Sequence, residues 1–181
     1  MKQQGFTLTE LMVALVISSI LLLGISTFLI ASQKSWQTQL RLTSSQEIER
    51  FVVQHLRRAI RQASGVDSQS DEETLILEYH AQEGSRNCLG QLQEAGSVYT
   101  DRFHVSGDQL RCNGVSLISG VAQIRFTYGM DQNSDGRLDP SEFRAMPDDC
   151  CPIKAVTFLL SLSGINEAQQ PLTYSASLRR K

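Results

Sequence analysis

Gly5-Phe6-Thr7-Leu8-Thr9-Glu10-Leu11-Met12-Val13-Ala14-Leu15 opens an apolar block that carries no charge from Leu11 to Ala31 and ends at Ser32-Gln33. At ~1.5 Å per residue, its about 21 residues make roughly 30 Å of helix, one hydrocarbon thickness. An isolated carboxylate is costly in hydrocarbon, so Glu10 at the head of the block calls for a partner. The plainer reading is a membrane anchor with a harmless polar residue near the interface. A cleaved secretory signal fits poorly, because no small-x-small site closes the block at Ala31-Ser32-Gln33. The small residue at the polar-to-apolar boundary is Gly5, and a cut there would remove residues 1–5 and leave the block in place. Lys2 on the short side suits a cytoplasmic N-terminus with the remainder exported.

The helical pattern continues beyond the apolar block. Residues 32–64 contain neither proline nor glycine, and Leu40, Ile48, Val52, Leu56, Ala59, Ile60 and Ala63 recur three and four apart. That spacing gives a partly apolar stripe on an otherwise polar rod. Trp36 falls where an interfacial ring is favourable, or could pack on a domain. Gly65 ends the pattern. A helix over 6–64 would be roughly 90 Å long at ~1.5 Å per residue and would have two environments. Residues 6–31 form its membrane or filament-core half, and residues 32–64 its domain-packing half.

Residues 65–181 change character. Thr74–Tyr79, Ser97–Val105, Val115–Ile118, Val121–Tyr128, Ile153–Leu162 and Leu172–Leu178 read as strands, with Ser106-Gly107-Asp108 as a turn. In Val121–Tyr128 the alternation sets Ala122, Ile124, Phe126 and Tyr128 on one face, which should meet a core or the helix. The fold class is therefore α+β, with the second half of a long N-terminal α-helix packed on an antiparallel β-sheet in one C-terminal domain.

A formal charge of −2 with mixed-sign residues gives no basic field for nucleic acid, and no phosphate loop or dinucleotide fingerprint occurs. Arg57, Arg58 and Arg61 read as a solvated or domain-facing patch. An exported domain would let Cys88, Cys112, Cys150 and Cys151 form disulfides. The hairpin candidate between Cys88 and Cys112 favours pairing those two, leaving Cys150 and Cys151 as an adjacent pair or as thiols. The alternative ties each of Cys88 and Cys112 to one of the adjacent pair, and spacing does not select between them. Neither the zinc nor the dithiol spacing of Cys-x-x-Cys is present.

Asp131-Gln132-Asn133-Ser134-Asp135-Gly136-Arg137-Leu138-Asp139-Pro140-Ser141-Glu142 fits the twelve-position calcium-loop pattern at each defined place. Asp131, Asn133 and Asp135 would offer side-chain oxygens, Arg137 a backbone carbonyl, Asp139 a direct or water-mediated contact, and Glu142 two oxygens. Gly136 permits the tight turn and Leu138 can point inward to pin it. A flexible shell of about seven oxygens suits structural calcium better than magnesium. A strand before the loop and Met146-Pro147 after it argue against a helix–loop–helix sensor. The competing reading is a solvated acidic turn without an ion. Catalysis has little support: His55, His80 and His104 lie on separate elements, no serine has a nucleophile-elbow setting, and the expectation is a non-enzyme.

Gly5 to Leu15 closely resembles the class III signal of type IV pilins and type II secretion pseudopilins. That resemblance implies a cut after Gly5 by a prepilin peptidase, so that residues 1–5 are a leader, Phe6 becomes the methylated N-terminus and Glu10 the mature fifth residue. Cys88-Leu89-Gly90-Gln91, Leu110-Arg111-Cys112, Leu117-Ile118-Ser119-Gly120-Val121, Tyr128-Gly129-Met130-Asp131 and Ala155-Val156-Thr157-Phe158-Leu159-Leu160 resemble PilW-type minor pilins, as does the ending Tyr174-Ser175-Ala176-Ser177-Leu178-Arg179. Arg180 stands where the commonest family ending has asparagine. The resemblance implies a minor pilin that primes assembly of a type IV pilus and sits at its tip, supporting twitching, adhesion or DNA uptake. Its implied partners are other minor pilins, the major pilin, the inner-membrane assembly platform and a tip adhesin. Its implied location is the inner membrane with a periplasmic domain, then the extracellular pilus. A J-type pseudopilin of type II secretion shares this layout and is the alternative; a membrane-anchored calcium-binding adhesin module is an alternative of another class.

Overall fold

The computed structural model describes residues 7–148, 151–163 and 171–178, with the side chains of residues 37, 38 and 40–42 excepted. Helix α1 spans Leu8–Gln62, and its residues fall into two compact units, Met1–Thr43 and Ser44–Lys181.

In the first unit, Thr7 caps the helix by accepting from the Glu10 N–H at 3.4 Å. Leu8–Trp36, 29 residues, is long and apolar enough to cross a membrane, and none of its most apolar window is buried within the chain. Leu11, Val16, Ile20, Leu23, Phe28 and Ile30 are all more than half exposed. A helix apolar around its whole circumference belongs in hydrocarbon or inside protein. Its hydroxyls suit such surroundings, because Ser19, Ser26 and Thr27 donate to the carbonyls of Val16, Leu22 and Gly24 at 2.7, 2.8 and 2.9 Å. Each polar group thus brings its own acceptor.

In the second unit, residues 44–62 of α1 bury Val52, Leu56 and Ile60 completely, at a strict spacing of four, with Val53 alongside. Nine strands follow: β1 Gly65–Val66, β2 Thr74–His80, β3 Val98–Val105, β4 Gln109–Cys112, β5 Val115–Ser119, β6 Val121–Met130, β7 Phe143–Arg144, β8 Ile153–Leu162 and β9 Leu172–Ser177. They form two antiparallel sheets rather than one, with orders β1-β2-β3-β4-β5 and β7-β6-β8-β9. This is an α+β fold in which a long N-terminal helix packs on antiparallel sheets, matching the type IV pilin-like architecture.

The sheets part company at Gly120, between β5 and β6. Its φ of +90° is a left-handed conformation that side chains resist, and a Cβ there would lie 2.8 Å from Ile48 Cδ1. The core then draws on all layers: Leu56 and Ile60 from α1, Leu75 and Leu77 from β2, Phe103 from β3, and Phe126, Tyr128 and Phe158 from the second sheet. Polar tips tie the layers together. Tyr79 donates to the Ala59 carbonyl at 3.1 Å, Tyr128 to the Asp71 carbonyl at 2.7 Å, and Tyr174 to the Glu49 carboxylate. Burial and the Glu49 carboxylate push the Tyr174 hydroxyl up to about 12.

One expected face is shifted. Ile124, Phe126 and Tyr128 are buried, but Ala122 is exposed and Val121 takes the inward place. A register irregularity between Val121 and Gln123, paired with β8, accounts for the switch, because one extra residue turns every preceding side chain to the other face.

Candidate functional site

Three places gather the residues that chemistry singles out. At the N-terminus, Gly5 and Phe6 lie outside the described residues. Glu10 is on the exposed surface of the first helical turns, where its charge favours the positive end of the helix dipole.

The second place is the loop 131–142, which leaves the end of β6 and returns through a 3-10 turn, Pro140–Glu142, into β7. A strand precedes it and a strand follows, so it is not a helix–loop–helix. Asn133 Oδ1 accepts from the Asp135 N–H at 2.9 Å, and Asp135 Oδ1 from the Arg137 N–H at 2.7 Å. Ser134 and Gly136 take φ of +59° and +84° to make the reversal. Asp131 reaches across it, its Oδ2 accepting from the Gly136 N–H at 3.0 Å and from the Lys154 ammonium. The Lys154 hydrogen bond holds the Asp131 carboxyl below the usual carboxylate range. Asp131 is only 5% exposed; its buried Oδ1 closes no well-formed hydrogen bond, while the Ser134 backbone N–H lies near enough to help lower the carboxyl. Glu142, 6% exposed, accepts from the N–H groups of Gln132 and Asp139 at 3.0 and 2.9 Å. Arg137 and Asp139 are exposed, and Leu138 is half-buried over Gly129 of β6, where a Cβ would approach Leu138 Cδ1 to 2.9 Å.

The third place is the disulfide between Cys88 and Cys112, with Cα atoms 6.4 Å apart. Beside it the buried Asp101 carboxylate accepts from the Cys88 N–H and the Asn113 side-chain amide, both at 2.9 Å. Burial pushes the Asp101 carboxyl up, and these two hydrogen bonds pull it back. One ligand atom from each of Cys88, Asp101 and Cys112 lies within 4.8 Å of the others, a group that could chelate a metal ion. Sulfurs bonded to each other are not thiolates, so that capacity belongs to the reduced pair. Cys151 is half-buried; Cys150 lies outside the described residues.

His55, on α1, stacks on Phe51 at 5.6 Å and meets the Phe103 ring edge-on at 6.0 Å. Burial and then Arg58 lower its pKa. His80 and His104 belong to β2 and β3. Among the described residues this pilin-like structural fold shows no catalytic motif.

Lys154, which meets Asp131 in this loop, is the residue that reading the sequence missed. It stands 23 positions from Asp131, and no local pattern marks it. The signal lies in the strand register: Gly129 pairs with Ala155 and Met130 with Ile153, which sets Lys154 beside the point where β6 gives way to the loop.

A family model for the prokaryotic N-terminal methylation motif matches residues 1–26. The chain carries a prepilin-like methylation motif. That motif implies processing by a prepilin peptidase, and the fold is consistent with the type IV pilin and pseudopilin superfamily and with a role in pilus or secretion-system assembly. Among the described residues one apolar helix has membrane-spanning length, which is consistent with a membrane-anchored topology. No curated protein matches the chain.

Proposed function

We propose that this chain is a minor pilin of the PilW type, which primes assembly of a type IV pilus and is incorporated at its tip. The observation that carries the reading is the methylation motif at the head of an all-round apolar helix, joined to an α+β domain. On this reading residues 1–5 are removed, Phe6 is methylated, residues 6–31 lie in the inner membrane and later in the filament core, and residues 65–181 form the periplasmic domain. In the assembled pilus the helix meets other minor pilins and the major pilin, so its apolar surface stays covered on leaving the bilayer. The amine of Phe6 and the Glu10 carboxylate pair in that apolar setting, where attraction is strong and misplacement costly. The resemblance of Cys88-Leu89-Gly90-Gln91 and Tyr128-Gly129-Met130-Asp131 to PilW-type sequences supports the subtype over a J-type pseudopilin.

The loop 131–142 completes the proposal as a structural calcium site. Its ligands are Asp131, Asn133, Asp135, the Arg137 carbonyl, Asp139 and Glu142. The buried Oδ1 of Asp131, which closes no well-formed hydrogen bond, supports it, because such an oxygen in a closed loop favours a cation.

The test is mass spectrometry of the protein in a strain with and without surface pili. The mature chain should begin at N-methylated Phe6, and a Gly5→Val variant should accumulate as precursor and fail to restore pili to a deletion strain. Restored pili from uncleaved precursor would refute the reading. Loss of type II secretion with pili intact would transfer the chain to the pseudopilins.

A further inference from the structure

The loop 131–142 is folded tightly by its own backbone. Asp131 and Glu142, its first and twelfth residues, are buried, and both carboxylates are tied to N–H groups of the loop. Asn133 and Asp135 fix the turns between them. Four carboxylates, Asp131, Asp135, Asp139 and Glu142, share this segment with one basic residue of its own, Arg137, which is exposed. The charge that enters the buried corner comes from elsewhere: the Lys154 ammonium of β8, bound to Asp131 Oδ2. Yet Asp131 Oδ1, from the same buried carboxylate, closes no well-formed hydrogen bond. One ammonium supplies a point charge and covers one oxygen. A divalent ion would gather several oxygens at once.

We infer that Lys154 is an internal counter-ion of this loop, holding the Asp131 corner until a calcium ion exchanges with it. The inference rests on the calcium reading given above. The Lys154 side chain is suited to the exchange. It is 29% exposed against 2% for the Asp131 side chain, so the ammonium can swing into water while the carboxylate stays. A lysine stem has four rotatable carbons and reaches solvent at little cost. Without the ammonium, a buried carboxylate would stand uncompensated whenever the ion is absent. Lys154 therefore keeps the loop folded in calcium-poor surroundings, and weakens calcium binding because its positive charge lies on the other oxygen of the same carboxylate. Calcium affinity is then set by a difference between two cations rather than by the loop alone.

The experiment uses the full-length protein in detergent, stripped with chelator, dialysed and titrated with calcium chloride in a calorimeter. Wild type is compared with Lys154→Met and with Asp135→Asn, whose side chain is exposed. In parallel, wild type is acetylated with and without calcium, and labelling of Lys154 is read by mass spectrometry against Lys181. Binding by wild type, weakened in Asp135→Asn and tightened in Lys154→Met by at least about fivefold, supports the exchange. That factor corresponds to the upper end of an exposed ion pair, and this pair is more buried. Calcium should also raise Lys154 labelling several-fold, which tests wild type directly should Lys154→Met fold poorly. If wild type binds calcium but Lys154→Met binds no tighter and labelling is unchanged, the exchange is refuted while the calcium site stands. Calcium binding by Lys154→Met alone would uphold the counter-ion and refute calcium as a natural ligand. No binding by either, up to millimolar calcium, overturns both.

Discussion

Gly129 couples the sheet to the loop, and replacing it with alanine tests that coupling. The added Cβ would lie 2.9 Å from both Leu138 Cδ1 and Phe143 Cε1, and 3.0 Å from Phe143 Cζ. Real contacts of this kind stay beyond roughly 3.4 Å, so each neighbour must retreat by about half an ångström. Leu138 could turn aside. Phe143 is harder to move, because its backbone pairs with Gly129 in the β6–β7 ladder. Overpacking of this sort costs about 1–3 kcal/mol. Alanine also restricts the unfolded chain relative to glycine, returning about 0.4–1 kcal/mol at a position where φ is not positive. Mid-range values leave a net loss of about 1.3 kcal/mol, within limits of about 0–2.6 kcal/mol. For a chain of this size the mid-range loss lowers the melting midpoint by roughly 3–5 °C.

The assay is thermal unfolding of the purified full-length protein followed by near-ultraviolet circular dichroism. The same substitution is then made in a Leu138→Ala/Phe143→Leu background, where the methyl group has room. There the steric cost should vanish and Gly129→Ala should become neutral or slightly stabilising. An unchanged midpoint in the wild-type background would refute the packing argument. An undiminished loss in the relieved background would refute it as well, by placing the cost in the backbone.

Three further outcomes follow from other parts of the molecule. His55 has a lowered pKa from burial and Arg58, so below pH 6.5 the unfolded chain takes up a proton more readily than the folded one. Stability should fall as pH drops from about 6.5 toward the folded value, and His55→Gln should flatten that part of the melting-versus-pH curve; equal slopes would contradict it. Replacing both Cys88 and Cys112 by serine opens a loop with a sequence separation of 24 and should cost about 3 kcal/mol in denaturant titration; a loss below about 1 kcal/mol would mean that Asp101 and Asn113 hold the segment unaided. Glu10→Ala should leave membrane insertion intact but reduce recovery of the subunit in sheared pili by quantitative mass spectrometry, and normal stoichiometry would count against the proposed amine pairing.

The periodic parts of the molecule were legible because their physics is local. Val52, Leu56 and Ile60 announce a buried helical face by spacing alone, and Ile153–Leu162 announces a core strand by composition. The helix runs over Leu8–Gln62 against the expected 6–64, with Phe6 outside the described residues. β4, four residues reading Gln-Leu-Arg-Cys, and the two-residue β1 and β7 carry too little pattern to stand out from loops. Two sheets were read as one because the break falls at Gly120, a single residue between β5 and β6 whose left-handed φ no local hydrophobic pattern marks. The same limit hid Lys154: the loop reads clearly as a twelve-residue pattern, but the cation that meets Asp131 arrives through cross-strand register. Local chemistry marks the carboxylates of the loop, and only topology shows which cation meets one of them.

The first unit adds a constraint that the proposed function must satisfy. From Leu8 to Ile30, side chains such as Leu8, Leu23, Phe28 and Ile30 are 67–78% exposed. Fully burying a large apolar side chain stabilises by about 1.5–3 kcal/mol, so a dozen left bare in water would cost roughly 20 kcal/mol or more. That cost is the same whether the second unit is folded or not, so its folding gives no relief and apolar cover must be continuous. On the proposed function a bilayer provides it before assembly, and the helices of neighbouring subunits provide it afterwards. Those two covers are nearly alike to a leucine or a phenylalanine, so the apolar residues give little direction to the transfer between them. Glu10 is different, because a carboxylate in hydrocarbon gains far more from a neighbour's amine than any methyl group gains from exchanging lipid for protein. If the proposed function holds, the apolar block makes the helix transferable, and the Glu10 charge at its head gives the transfer its direction and its register.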